Sequence, residues 1–223
     1  MTHPRPDMNF ELIVFDWDGT LFDSTALIAR CIQAACRDLG VAVPSDAQAA
    51  FVIGLGLQDA LQTAVPDLPV ARYGELGRRY REHYFAEQHA IGLFDGALDL
   101  LQALKARGHR VAVATGKSRR GLDEALRNTR LHGLFDGTRT ADETASKPHP
   151  QMLLELMAAH GTEPERTLMI GDTTHDLQMA ANAGTPAVAV AYGAHEPARF
   201  AELRPLHVAH SLADLHRWLD DHA

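Results

Sequence analysis

The sequence predicts an α/β fold, a doubly wound, Rossmann-like parallel sheet with a small all-helical cap inserted after the first strand. Three observations predict it. Short, wholly apolar runs such as Leu12-Ile13-Val14-Phe15, Val111-Ala112-Val113-Ala114 and Leu168-Met169-Ile170 have the composition of strands buried on both faces. From Asp95 onward such runs alternate with helical periodicity, which implies repeating β-α units with right-handed crossovers. Between the first run and that alternation lie roughly seventy residues of helical pattern, too many for one crossover connection.

Taken in order, the first strand ends on Asp16, and Asp23 and Ser24 then precede a helix. Leu27, Ile28, Cys31, Ile32, Ala35 and Leu39 recur there at helical spacing, and Gly40 supplies a stop. More helix is predicted from about Asp46 to Glu87, broken at Gly54-Leu55-Gly56 and between Pro66 and Pro69. The organisation expected is therefore a core of residues 1–22 and 93–223, with residues 23–92 as the cap. In the core, a helix over Ala97–Arg107 stops at Gly108, and the strand Arg110–Ala114 follows. Ser118 suits the N-cap of a helix reaching about Arg130, with a short, weak strand near Gly137–Arg139. Pro150 suits the first turn of a helix that ends at His160 before Gly161. The strand Thr167–Ile170, a helix over Thr174–Ala183, the strand Ala187–Ala191 and a last helix over Leu212–Asp220 complete the pattern.

The 223 residues are 46% hydrophobic and 22% charged, an ordinary balance for a globular protein. A net charge of −8 argues against a nucleic-acid partner and against attraction to an anionic membrane. No apolar stretch is long enough to span a bilayer, and the polar, Pro-rich Met1–Asp7 lacks the apolar run of a secretory signal. A cytoplasmic monomer or homodimer is expected. Cys31 and Cys36 lie on different parts of one helix surface, which argues against a mutual disulfide, and with no Cys-x-x-Cys pair and no matching His pair a zinc site is not expected.

Four segments that follow strands or loops carry groups suited to phosphate or a metal ion. In Asp16-Trp17-Asp18-Gly19-Thr20 the two carboxylates, two residues apart in a turning segment, can face one ligand. Two such carboxylates resist joint ionisation unless a cation neutralises one or they divide labour as nucleophile and acid. Taken alone, the string is equally an acidic turn or a helix cap. Asp172 ends another buried strand, where a carboxylate needs a partner, and Asp176 falls in the first turn of the next helix. Asp16, Asp172 and Asp176 together form an oxygen-rich set suited to Mg²⁺. Thr115 and Gly116 offer a hydroxyl and closely approachable backbone N–H groups for phosphate oxygens, and Lys147 is a candidate counter-cation. Gly54 and Gly56, in the broken stretch of the cap, are a candidate loop facing the site or ordinary helix connectors. Arg119 is a candidate contact to a substrate anion or a solvated arginine on a helix's first turn.

The whole set, in this order, resembles the haloacid dehalogenase superfamily, and its phosphoglycolate phosphatase-like members in the position of the cap. Asp16-Trp17-Asp18-Gly19-Thr20 matches the first motif, Thr115 the second, Lys147 the third, and Gly171-Asp172 with Asp176 the fourth. The resemblance implies a Mg²⁺-dependent phosphatase acting on a small phosphorylated metabolite. In that reading Asp16 attacks phosphorus to form an aspartyl-phosphate, and Asp18 protonates the leaving oxygen and then activates water. Asp16, Asp172 and the backbone carbonyl of Asp18 hold the metal, while Asp176 orients metal-bound water or Lys147. Thr115 and the N–H groups of Trp17 and Gly116 bind the phosphoryl oxygens, and Lys147 restrains Asp16. The carboxylate at position 18 favours phosphate esters over haloacids or phosphonates. A phosphomutase or a pyrophosphatase of the same superfamily, or a non-catalytic cation-binding protein, are the alternatives.

Overall fold

The computed structural model describes residues 10–223, so the reading of Met1–Asp7 as a non-secretory segment lies outside the described residues. Six strands form one parallel sheet in the order β3-β2-β1-β4-β5-β6. They are β1 (Leu12–Phe15), β2 (Arg110–Thr115), β3 (Gly137–Thr140), β4 (Thr167–Gly171), β5 (Ala187–Val190) and β6 (Val208–Ala209). Ile13 lies beside Val111 on one side and Leu168 on the other. Successive strand side chains point to opposite faces, and both faces are covered. Ile13, Phe15, Val113 and Ile170 pack under α5 (Ala97–Ala106), α6 (Arg119–Asn128) and α9 (Leu212–His222). Leu12, Val14, Ala112 and Met169 pack under α7 (Gln151–His160) and α8 (Thr174–Ala183). This double burial is why the strands read as unbroken apolar runs rather than as alternation.

The sixth strand has no counterpart in the sequence pattern. At two residues it is too short to show periodicity, and its pairing is carried by backbone bonds such as Ala191 N–H to Ala209 O (2.8 Å).

Between β1 and α5 the chain forms α1 (Thr25–Asp38), α2 (Asp46–Phe51), α3 (Leu57–Ala64) and α4 (Tyr73–Glu87). Leu27, Ile32, Leu61 and Leu76 bury a separate apolar cluster there, which also holds the free cysteines Cys31 and Cys36. α2 starts at a capping box of Ser45 and Gln48, and α3 follows Gly56 in an extended conformation. The chain enters and leaves this helical segment at one place, where Asp23 N–H donates to Gly92 O (2.9 Å) and Phe94 N–H to Leu21 O (3.0 Å).

Candidate active site

Ligands of open parallel sheets bind beyond the carboxyl ends of the strands, where the strand order reverses. Here that point lies between β1 and β4, and it brings Asp16 and Asp172 together. Asp16 N–H donates to Ile170 O (2.8 Å), which fixes the first residue after β1 against β4. Lys147, from the loop before α7, donates 2.6 Å bonds to Asp16 Oδ1 and to Asp176 Oδ1. Asp176 also caps its own helix: its Oδ2 accepts from the hydroxyl (2.7 Å) and the N–H (3.1 Å) of Thr173. Asp172 accepts from the Thr20 hydroxyl (3.0 Å) and the Ala194 N–H (2.6 Å). Gly19, at φ +85°, passes so close to Asp172 that a Cβ there would collide with the carboxylate.

One carboxylate oxygen each from Asp16, Asp172 and Asp176 lies within 4.8 Å of the others, and all three residues are fully buried. The electrostatics follow from that crowding. Burial, reinforced by Asp176 and Asp172, raises the Asp16 carboxyl well above the usual range, with Lys147 opposing. Burial and Asp176 push Asp172 up to about 7. Burial alone would depress Lys147, yet Asp16 and Asp176 hold it above an ordinary lysine, so it stays an ammonium. Three buried carboxylates thus share one cation, and Asp16 Oδ2 is buried with no hydrogen-bond partner among the described residues. An orphaned oxygen in an oxygen-only donor set with excess negative charge fits a hard divalent cation.

Asp18 lies outside this cluster. Its Oδ1 accepts from Ser24 Oγ (2.6 Å) and faces Lys117 Nζ (3.0 Å), and it borders a cavity of about 600 Å³ between core and helices. Gly116 and Lys117 contribute to the core wall, and Ile28, Val52 and Tyr84 to the helical wall. Thr115 ends β2 fully buried, its Oγ1 accepting from the Lys117 N–H (3.2 Å). The Trp17 indole turns into the core, stacked on Phe22 at 5.5 Å, so that residue can serve a ligand through its backbone.

The loop at Gly54-Leu55-Gly56 lies against the core strand ends. Gly54 lies beside Thr173, Gly56 N–H donates to Ser146 Oγ (2.8 Å), and a Cβ on Gly116 would strike the Leu55 and Gly54 carbonyls. Nearby, the Phe51 carbonyl accepts from His175 Nε2 (2.8 Å) and His195 Nε2 (2.9 Å), and the His195 ring stacks on Phe51.

Of the two readings of Arg119, the structure favours an arginine tied up at its own helix's first turn. Its guanidinium is held by Glu143 (2.7 and 3.0 Å) and Asp123 (3.3 Å), away from the cavity that its neighbour Arg120 lines. The acids of the β3–α7 loop face the first turn of α6 and capture it. Sequence reasoning passed over Ser24, Ser146 and Tyr84 as site residues, and gave Thr20 and Lys117 no role of their own within the segments that contain them. Lys117 directly follows Thr115-Gly116, which was a usable signal. Tyr80 and Tyr84 recur at helical spacing and read as core.

The family model for haloacid dehalogenase-like hydrolases matches residues 13–190. Among curated proteins, the Probable phosphatase IndB of Dickeya dadantii (strain 3937) is 38% identical over 191 residues, 82% of each chain. The phosphoglycolate phosphatase of Aliivibrio fischeri (strain ATCC 700601 / ES114) is 31% identical, over 83% of this chain and 86% of its own. The crystal structure of a predicted phosphoglycolate phosphatase from Haemophilus somnus 129pt superposes with a TM-score of 0.83 at 28% identity, covering 94% of this chain and 98% of its own. The chain belongs to the haloacid dehalogenase-like hydrolase family and is a phosphatase of it.

Proposed function

We propose that the protein is a Mg²⁺-dependent phosphatase of a small phosphorylated metabolite, a phosphoglycolate-like phosphomonoester, working through an aspartyl-phosphate on Asp16. The observation that carries this reading is the partnerless Asp16 Oδ2 in a fully buried cluster of three carboxylates and one ammonium. Asp16, Asp172 and the backbone carbonyl of Asp18 would hold Mg²⁺, with Asp176 keeping Lys147 in place. When bound, the ion supplies the positive charge that lets an anionic carboxylate approach an anionic phosphate.

Lys147 fixes the orientation of the Asp16 carboxylate, which attacks phosphorus. The P–O bond to the alcohol breaks as the Asp16–phosphorus bond forms, and Asp18 gives the departing oxygen its proton. Asp18 then takes a proton from water, which attacks the acyl-phosphate and frees inorganic phosphate. Thr115 and the N–H groups of Trp17 and Gly116 would receive the phosphoryl oxygens. Residues 23–92 act as a cap over residues 1–22 and 93–223, with Gly54 and Gly56 in the loop that borders the substrate. The similarity to the Aliivibrio fischeri phosphoglycolate phosphatase supports a small monoester as substrate.

A phosphate-release screen across phosphoglycolate, sugar phosphates, nucleoside monophosphates and pyrophosphate, with and without Mg²⁺, tests this. The expected result is Mg²⁺-dependent release from a carbon ester by the wild type and none by Asp16→Asn. Preference for pyrophosphate, or an isomerised sugar phosphate without free phosphate, would overturn the assignment.

A further inference from the structure

Lys117 is a buried lysine that the reaction scheme above does not use. Its side chain is 11% exposed, and its Nζ lies 3.0 Å from Asp18 Oδ1 and donates to the Tyr84 hydroxyl at 3.0 Å. The ammonium also sits over the Tyr84 ring, 4.7 Å from its centre. The Tyr84 hydroxyl takes one of the ammonium's three donors, and Asp18 is its ion-pair partner. Asp18 Oδ1 receives both Lys117 and Ser24 Oγ, whereas Oδ2 has no hydrogen bond among the described residues, in a residue that lines the cavity. The carboxyl is therefore held at Oδ1 from two directions, by the Ser24 hydroxyl and by the charge of Lys117. Lys117 belongs to the core, just after Thr115-Gly116, while Tyr84 belongs to α4 of the helical segment. The hold on Asp18 is thus completed from across the cavity.

We infer that Lys117 is a positioning residue for proton delivery to the leaving group, acting through Asp18 and held in place by Tyr84. The inference rests on the proposed role of Asp18 as general acid. Lys117 stays an ammonium throughout. The proton passes from the Asp18 carboxyl to the alcohol oxygen as the ester P–O bond breaks, and Lys117 keeps that carboxyl in a single orientation. A loosened acid matters most where the leaving group needs a proton most. Misplacing such a group by about 1 Å can cost on the order of 10²-fold.

The test compares kcat/KM for p-nitrophenyl phosphate, whose leaving group departs readily as an anion, with kcat/KM for an alkyl phosphate, whose alkoxide does not. These constants report the steps through the first phosphoryl transfer, so the water-activation step does not intrude. Lys117→Met should raise the aryl-to-alkyl ratio by about 10- to 100-fold. Lys117→Arg should restore part of it, and Tyr84→Phe should raise it by about 2- to 5-fold, as expected for loss of one supporting hydrogen bond. A packing role would lower both substrates alike and leave the ratio unchanged, which would overturn the inference. Asp18→Asn is the control. If it raises the ratio and Lys117→Met does not, the inference alone fails. If Asp18→Asn leaves the ratio unchanged, Asp18 is not the acid, and both readings fall.

Discussion

At Asp16 the protein is packed solid: carboxylates, an ammonium and hydroxyls fill the strand ends, and every one of these residues is buried. Two residues on, Asp18 borders a cavity of about 600 Å³ whose far wall is largely apolar and belongs to helices with their own core. The first region holds charge in fixed places and is built from strand ends, which tolerate little displacement. The second is built where two packed bodies face each other, so its shape depends on how the helices meet the sheet. On the proposed function, the contrast separates the chemistry of the phosphoryl group from recognition of what the group is attached to.

Several changes can break or sharpen that contrast. The largest effect is expected from Asp16→Asn, which removes the attacking oxygen and should lower kcat by more than about 10⁴-fold while the protein stays folded. A smaller effect is expected on the cavity side. Gly116→Ala places a methyl against the Leu55 and Gly54 carbonyls, so the loop must lift. Its kcat/KM should fall by about 10- to 100-fold with little change in Tm. Full activity in that variant would separate the loop from the site.

The packed region predicts a stability effect of the opposite sign. Asp172 is raised to about 7 in the fold from 3.8, so its ionisation costs stability as pH rises through that interval. Without divalent metal at pH 8, Asp172→Asn should melt about 2–4 °C above the wild type, roughly 1 kcal/mol, and the gap should narrow as pH falls and close below about pH 4. Adding Mg²⁺ at about a hundred times its Kd should stabilise the wild type by roughly 2.7 kcal/mol and the variant by much less. Thermal melts with Mg²⁺ and with chelator check both halves. The smallest effect concerns the contact between the two bodies. Burial holds His195 down to about 4 from 6.5, so the neutral ring is favoured in the fold. The stability this provides is complete above pH 6.5 and is lost as pH falls towards 4. His195→Gln should therefore lose roughly 1 kcal/mol less stability than the wild type between pH 7 and 5, read from denaturant melts.

The same contrast explains what could be read from the chain. Leu12–Phe15, Val111–Ala114 and Leu168–Ile170 announce a two-sided sheet because double burial leaves no room for polar residues. Asp16 and Asp172 stood out because each follows such a run, whereas Asp176 also read as a helix-capping charge and Lys147 gained weight only as the cation these carboxylates need; the structure brings the four together. The cavity side was largely illegible. Tyr84 carries its hydroxyl on a helix face that otherwise reads as core, and its partner Lys117 lies 33 residues away. For Arg119 the sequence left a substrate contact and a surface arginine open, because spacing cannot show that Glu143, from another loop, captures its guanidinium. β6 was missed because two residues carry no period.

The central claim is that the Asp16 carboxylate takes the phosphoryl group from the substrate. Acid-quenched single turnovers with a hydrolysed ester and Mg²⁺, followed by peptide mass spectrometry, test it directly. The account predicts a transient phosphoryl group on the peptide that carries Asp16, formed no more slowly than turnover and absent in Asp16→Asn. Product formed with no phosphorylated peptide at any time point, or a phosphoryl group on another residue, would contradict it.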